Sequence, residues 1–420
     1  MNTFTLVFLA ALAASLLLRG GLILRQMRHV WQHRDQVPTA FIGQISASEH
    51  LRAAQYAIAR GRISLWNLVQ ETVILLLFTL AGGINWLAGL WLAVAPQLVA
   101  EAGLIVTAIL LSALLELPAD WYRKFVVEQR FGFNTMKLAD YVRDVLMQGL
   151  LAIALGLPLL MAVLWILHRA GSQWWLYTWV VWVGFNLFVL AIYPVFIAPL
   201  FNRFTPLDND ALRQRIEQLL AHSGFAARGL YVMDGSRRSS HGNAYFTGFG
   251  RGRRIVLFDT LLKQLQPDQI VAVLAHELGH FHHRHVWQRM AWMFGFSLAG
   301  LWLASRLLDS AWFYAGLHVT YFSPGIGLLL FFLVLPVFSL PLQWWLAAGS
   351  RRNEFEADRY AAGQTSAELL VAALVSLYRD NAATLTSDAW YSSLYDSHPN
   401  AQQRIARLQS IAVLSKETMT

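Results

Sequence analysis

Cysteine is absent from the 420 residues. A disulfide framework is thereby excluded, and any metal site must draw on His, Asp or Glu. Charge is scarce too: Asp, Glu, Lys and Arg make up 14% of the chain, where soluble domains carry ~25%. Repeats and low-complexity tracts are also missing. What fills the space is apolar, 56% of the residues, with 25 Phe and 17 Trp and a mean hydropathy of +0.43. No water-soluble fold covers that much apolar side chain, so the chain reads as an integral membrane protein. Disorder, collagen and coiled coil fall to the same figures.

Seven stretches meet the ~20 apolar residues that a hydrocarbon core demands: 3–18, 65–92, 98–117, 145–167, 174–201, 290–305 and 321–350. The first has no Lys or Arg before it and Arg19 directly after it, so it lacks the basic start of a secretory signal and reads as an uncleaved anchor. With the N-terminus outside, the inside segments are 19–64, 118–144, 202–289 and 351–420. They hold 31 of the 33 basic residues, and only Arg169 and Arg306 fall outside. This is the positive-inside bias. It accounts for the net charge of +8 and removes nucleic acid as a partner; the lipid bilayer takes its place.

The expected organisation follows. Residues 1–201 carry crossings one to five with basic inside loops, 202–289 form a first catalytic segment, 290–350 carry crossings six and seven, and 351–420 form a second inside segment. Within 202–289, a helix is expected over 208–223, closed by Gly224. Short β-rich pieces follow at 230–233, 243–247 and 254–258, separated by the Gly/Ser/Arg stretches 235–242 and 248–253. They read as a small sheet or hairpin. A helix from Asp268 to Gln288 comes next, with Asp at its start to suit the dipole.

That helix contains His276-Glu277-Leu278-Gly279-His280. A spacing of four puts both imidazoles on one face, one turn apart, where they converge on one cation. Glu277 lies beside that face, placed to take a proton from the attacking water. Chance alone yields such a motif on the order of once per hundred chains of this composition. One Zn²⁺ per chain is the expected cofactor, because two imidazoles, a carboxylate and an open position are its hydrolytic arrangement. His282, His283 and His285 read as polar-face residues near the membrane surface. The third ligand is sought in Glu354-Phe355-Glu356-Ala357-Asp358, where Glu354 and Asp358 share a helical face. Glu354 is expected as ligand and Asp358 as acceptor for a ligand histidine N–H.

Five pieces together resemble the CAAX prenyl protease 1 family of integral-membrane zinc metallopeptidases. They are Ser239-Ser240-His241-Gly242-Asn243-Ala244-Tyr245-Phe246, the run 255–262, the His276–His280 motif, the Glu354–Asp358 run and Ser397-His398-Pro399. The resemblance implies a mainly α polytopic fold, about seven helices around a water-filled chamber, with a small β-containing catalytic region. It implies zinc on His276, His280 and Glu354, Glu277 as general base, and Asn243 and His398 in the cleft. Asn243 would hold substrate as an added strand, and His398 would donate to the oxyanion. Arg404, one turn beyond, is a weaker candidate for the same site. The chain lacks long insertions and its 415–420 tail carries no retrieval-like signal, features of a prokaryotic-type member in the bacterial inner membrane, with its catalytic segments on the cytoplasmic side.

The expected activity is therefore a membrane-embedded zinc endopeptidase. Its substrate would be a peptide or protein, prenylated or membrane-associated. A general quality-control protease is the alternative within the class. From another class comes a transporter or receptor with structural zinc, prompted by Glu71, Glu101 and Glu116 at membrane depth.

Overall fold

The computed structural model describes residues 2–248 and 253–417. Residues 249–252, most of the 248–253 stretch, and the tail beyond Glu417 lie outside them. The chain is helical nearly throughout. Among the described residues, five helices are long and apolar enough to cross a membrane: α1 (Thr3–Gln32), α4 (Gln97–Glu128), α5 (Leu138–Arg169), α6 (Gly171–Phe201) and α10 (His285–Leu308). Two bent pairs bring the number to seven. One joins α2 (Ala47–Phe78) to α3 (Gly83–Leu92) at 51°, the other α12 (Pro324–Phe338) to α13 (Leu340–Gln364) at 63°.

Each expected crossing has its helix, and most of the helices run on past the apolar stretch into the basic segments. Helix α2 starts inside such a segment, about five turns before its apolar stretch, where Ser46 and Glu49 close a capping box. Three crossings contain a π-helical turn, at Arg123–Glu128, Ala152–Gly156 and Tyr193–Ile197. Each lies within a few residues of Pro118, Pro158 or Pro194, whose missing N–H disturbs the ladder. Outward faces present Leu17, Trp66, Leu114, Leu146 and Trp165. Lipid tolerates that surface and water does not. Inside the bundle, Phe8, Ile84, Leu104, Leu164 and Leu330 pack into one apolar core.

After α6 the chain builds a compact layer. Its elements in order are β1 (Phe204–Pro206), α7 (Asp210–His222), β2 (Gly229–Met233), β3 (Ala244–Thr247), β4 (Arg254–Phe258), α8 (Asp259–Gln264) and α9 (Pro267–His282). The sheet order is β1-β2-β4-β3. Strands β2 and β4 run parallel, while β1 and β3 pair antiparallel at the two edges. The three expected strands are all present; β1, only three residues long, was not anticipated. A second correction concerns the metal-motif helix, which stops at His282 rather than Gln288. Arg284 adopts a left-handed conformation with φ 58°, and this breaks the ladder before α10 begins.

Beyond α10 lie the short α11 (Ala311–Gly316), then α12 and α13, and finally α14 (Ala367–Asp380), α15 (Ala389–Tyr395) and α16 (Ala401–Glu417). One core joins the 202–289 and 351–420 segments. Leu212, Ile216, Ile255, Leu257 and Leu274 pack with Ala361, Leu370, Ala373 and Leu408. Burial of these side chains, at ~25 cal/mol per Å² of apolar surface, holds α9 against α13.

Candidate metal centre

Helix α9 is well specified at its start. Gln266 and Gln269 close a capping box, Pro267 occupies the first turn and Asp268 faces the helix dipole. Its register then lays His276 and His280 on the face that meets α13. The two backbones touch there: a Cβ added to Gly279 would come within 2.8 Å of the Ala357 Cα. Only glycine allows this approach, which sets the distance between the motif and Glu354.

The three expected ligands converge. His276 Nε2 lies 3.4 Å from Glu354 Oε2 and His280 Nε2 lies 3.3 Å from Glu354 Oε1. The two Nε2 atoms are 3.3 Å apart, and ligand atoms of all three residues fall within 4.8 Å of one another. Glu354 Oε2 is buried without a hydrogen-bond donor among the described residues. Two imidazole nitrogens and an orphaned carboxylate oxygen, aimed at one point, are a donor set that fits a cation such as Zn²⁺.

The surroundings reinforce this. His276 Nδ1 is 2.9 Å from Asp358 Oδ1. Asp358 in turn accepts two hydrogen bonds from the buried Arg404, at 2.6 and 2.9 Å. Burial alone would lower the pKa of His276, but the Asp358 and Glu354 carboxylates outweigh it and push the imidazole up to about 9. The two carboxylates thus outweigh both burial and the nearby Arg404 cation around this ring. Burial pushes the Glu277 carboxyl above the ordinary range, with His276 and His280 opposing it. A carboxylate raised toward neutrality is a better proton acceptor than a free one.

His398 stands at the mouth of the cluster, its side chain 61% exposed and Nε2 3.4 Å from Glu354 Oε1; Ser397 Oγ meets its Nδ1 at 2.9 Å. Asn243 is not hydrogen-bonded to the cluster among the described residues. It stands at the head of β3, its amide oxygen accepting from the Ala244 N–H at 2.8 Å and its carbonyl from the Phe258 N–H at 3.0 Å.

Two residues of the centre escaped the sequence reading. Gly279 is one, and His285 is the other. His285 is not a polar-face residue: it is 1% exposed, and its Nδ1 lies 2.9 Å from His280 Nδ1. The intramembrane carboxylates are scattered. Glu101 is buried beside His168 at 2.9 Å. Glu71 and Glu116 line a separate cavity of about 260 Å³ with Arg19, Thr72 and Ser112.

Comparison with known proteins gives a consistent picture. Residues 26–203 match the family described as CAAX prenyl protease N-terminal, five membrane helices, and residues 206–412 match peptidase family M48. The chain is 34% identical over 400 residues to the CAAX prenyl protease 1 homolog of Oryza sativa subsp. japonica, covering 90% of this chain and 92% of that one. It is 34% identical over 326 residues to CAAX prenyl protease 1 of Saccharomyces cerevisiae, covering 73% and 71%. The homolog of Homo sapiens is 30% identical over 442 residues, covering 92% and 91%. The crystal structure of S. mikatae Ste24p superposes with a TM-score of 0.91 at 28% identity, covering 97% of this chain and 99% of that one.

Proposed function

This chain belongs to the CAAX prenyl protease 1 family of membrane metallopeptidases, and from that premise we propose that zinc on His276, His280 and Glu354 serves a peptidase whose substrate strand runs along β3. The observation that carries the reading is the convergence of those three ligand atoms within 4.8 Å, with an orphaned Glu354 oxygen among them. Zinc bound there would supply Lewis acidity, polarising the scissile carbonyl and acidifying water toward a pKa of ~7.

The chain's own side chains supply the rest. Glu277, raised by burial, accepts the proton of the attacking water and hands it to the leaving amine. His398, reaching in from the mouth, donates to the oxyanion as the carbonyl becomes tetrahedral. Arg404 holds Asp358, and Asp358 holds His276 by its Nδ1–H. The sequence reading gave Arg404 as a weaker candidate for this site; it lies 3.7 Å from Glu354 Oε2, and its two bonds to Asp358 favour a supporting role. β3 is an edge strand with β4 on one side only among the described residues, so its other side is available to an extended peptide. Asn243 at its head would then turn its amide from Ala244 to the substrate backbone.

We assign residues 202–289 and 351–420 jointly to the catalytic layer on the cytoplasmic side, with the bacterial inner membrane as the location. Relatives carry the name CAAX prenyl protease, and prenylated C-terminal peptides are the substrates we expect here. Mass spectrometry of products from farnesylated peptides and from casein, with and without chelator, tests both parts. Chelator-sensitive removal of a C-terminal tripeptide supports the assignment. Equal cutting of casein instead makes this a general quality-control protease, and cutting that survives chelation removes the metal mechanism.

A further inference from the structure

The two histidines of the motif are anchored in different ways. His276 Nδ1 meets the Asp358 carboxylate directly at 2.9 Å. His280 Nδ1 meets another ring, that of His285, at 2.9 Å. His285 Nε2 lies 3.1 Å from Glu356 Oε2, and Arg352 Nε donates to Glu356 Oε1 at 3.2 Å. We propose that His285 and Glu356 are positioning residues for the metal centre: together they fix the tautomer and the ring orientation of His280. This rests on the reading of His280 as a ligand through Nε2.

Counting hydrogens gives the chain a direction. A carboxylate accepts and never donates, so Glu356 draws the single hydrogen of neutral His285 onto Nε2. His285 Nδ1 is left as an acceptor. The only hydrogen that can fill the 2.9 Å contact is then the one on His280 Nδ1. His280 Nε2 is thereby stripped of hydrogen and turned toward Glu354 as a lone pair. Reversing any link would put a hydrogen on His280 Nε2 and block it as a ligand.

The geometry of α13 explains why a ring is interposed. Glu354 and Asp358 are one turn apart and share the face toward α9. Glu356, two residues from Glu354, points ~200° away around the helix, out of direct reach of His280. An imidazole bridges that gap with a rigid donor on one side and an acceptor on the other. The break at Arg284 turns His285 back under α9, where it is 1% exposed. A continuous helix would have carried it off the His280 face. His283 stacks on His285 at 5.5 Å between centroids and restrains the ring without a hydrogen bond to it.

The experiment uses the full chain in detergent. Zinc affinity is measured by competition with a chromophoric chelator, and the visible spectrum of the Co²⁺-substituted protein is recorded alongside. His285→Phe keeps the packing and removes both links, and zinc should bind ~10–100-fold more weakly with an altered Co²⁺ band shape. His285→Gln offers an oxygen to His280 and an N–H to Glu356, and should recover most of the affinity. Glu356→Ala should weaken zinc in the same direction as His285→Phe. Wild-type affinity and spectrum in His285→Phe or Glu356→Ala would overturn the proposal, as would a Gln variant as weak as Phe, which would assign a packing role only. Should His285→Phe not fold, Glu356→Ala decides, because that side chain is 34% exposed and its loss opens no cavity. His280→Ala tests the premise separately: unchanged zinc binding there would remove the metal reading itself.

Discussion

Glu277 and Glu354 are both carboxylates within the same small volume, yet their surroundings give them different work. Glu354 faces two imidazole nitrogens at 3.3 and 3.4 Å; Glu277 follows His276 and is set by burial rather than by a bonded partner. Glu354→Ala should therefore lose zinc and turnover together. Glu277→Gln should keep stoichiometric zinc and peptide binding while turnover falls ~10²–10⁴-fold. Metal content measured beside peptide hydrolysis separates the two. Full activity in Glu277→Gln would end the hydrolytic assignment, and full zinc in Glu354→Ala would move the third ligand to another carboxylate. At this scale the sequence was legible wherever one helix held the whole pattern. His276, Glu277 and His280 follow from a four-residue period, and Glu354 with Asp358 from another. His285 was not legible, because the break at Arg284 resets the phase between it and His280.

Among the elements, the edge strand β3 and the short helix α15 each hang on one residue. Asn243 precedes β3 and spends its amide oxygen on the Ala244 N–H. Asn243→Ala should leave zinc content unchanged and lower turnover chiefly through weaker substrate binding, read as a raised KM. Zinc loss in this variant would make Asn243 a structural residue and take the strand-addition idea with it. Asp388 caps α15, accepting from the Trp390 and Tyr391 N–H groups, and accepts from Arg25 Nε of α1 at 2.6 Å. Burial alone would raise its pKa. The Tyr391 N–H, Arg25 and the Trp390 N–H outweigh burial and hold the carboxyl below the usual range. A depressed folded pKa adds stability that is complete above the unfolded value of ~3.9 and is lost as pH falls through the folded one. Asp388→Ala should cost about 1 kcal/mol at pH 6, and the gap in melting temperature to wild type should close below about pH 4. A gap that does not change with pH would mean the loss is one of packing. The sequence reading found β2, β3 and β4 from their β-branched and aromatic runs. Three-residue β1 is too short for a period, and its place depends on the Met233 and Val232 partners that only the fold supplies.

For the molecule as a whole, the proposed orientation rests on the division of basic residues. Reporter fusions at Gly171 and Gly316 should read outside and those at Gly242 inside; a cytoplasmic signal at Gly171 would sink the seven-crossing arrangement. The crossings were legible because each is an apolar run longer than the hydrocarbon demands. Their bends were not. The 63° turn between α12 and α13 sits at Pro336 and Ser339 inside one uncharged stretch, and hydropathy treats the two arms alike. Neither could a linear reading foresee that the 202–289 and 351–420 segments share one core, since the contacts join residues far apart in the chain.

Gly279 and Ala357 meet across everything the chain does between them, namely the sixth and seventh crossings. His276 and His280 leave the ribosome first and wait for Glu354 while both crossings enter the bilayer. At roughly 5–20 residues per second, that wait is on the order of several seconds. During it the growing chain holds the two imidazoles without the Glu354 carboxylate, and Gly279 lacks the Ala357 backbone that it meets in the folded chain. On the proposed ligand set, the centre is complete only when the last crossing has folded back onto its first half.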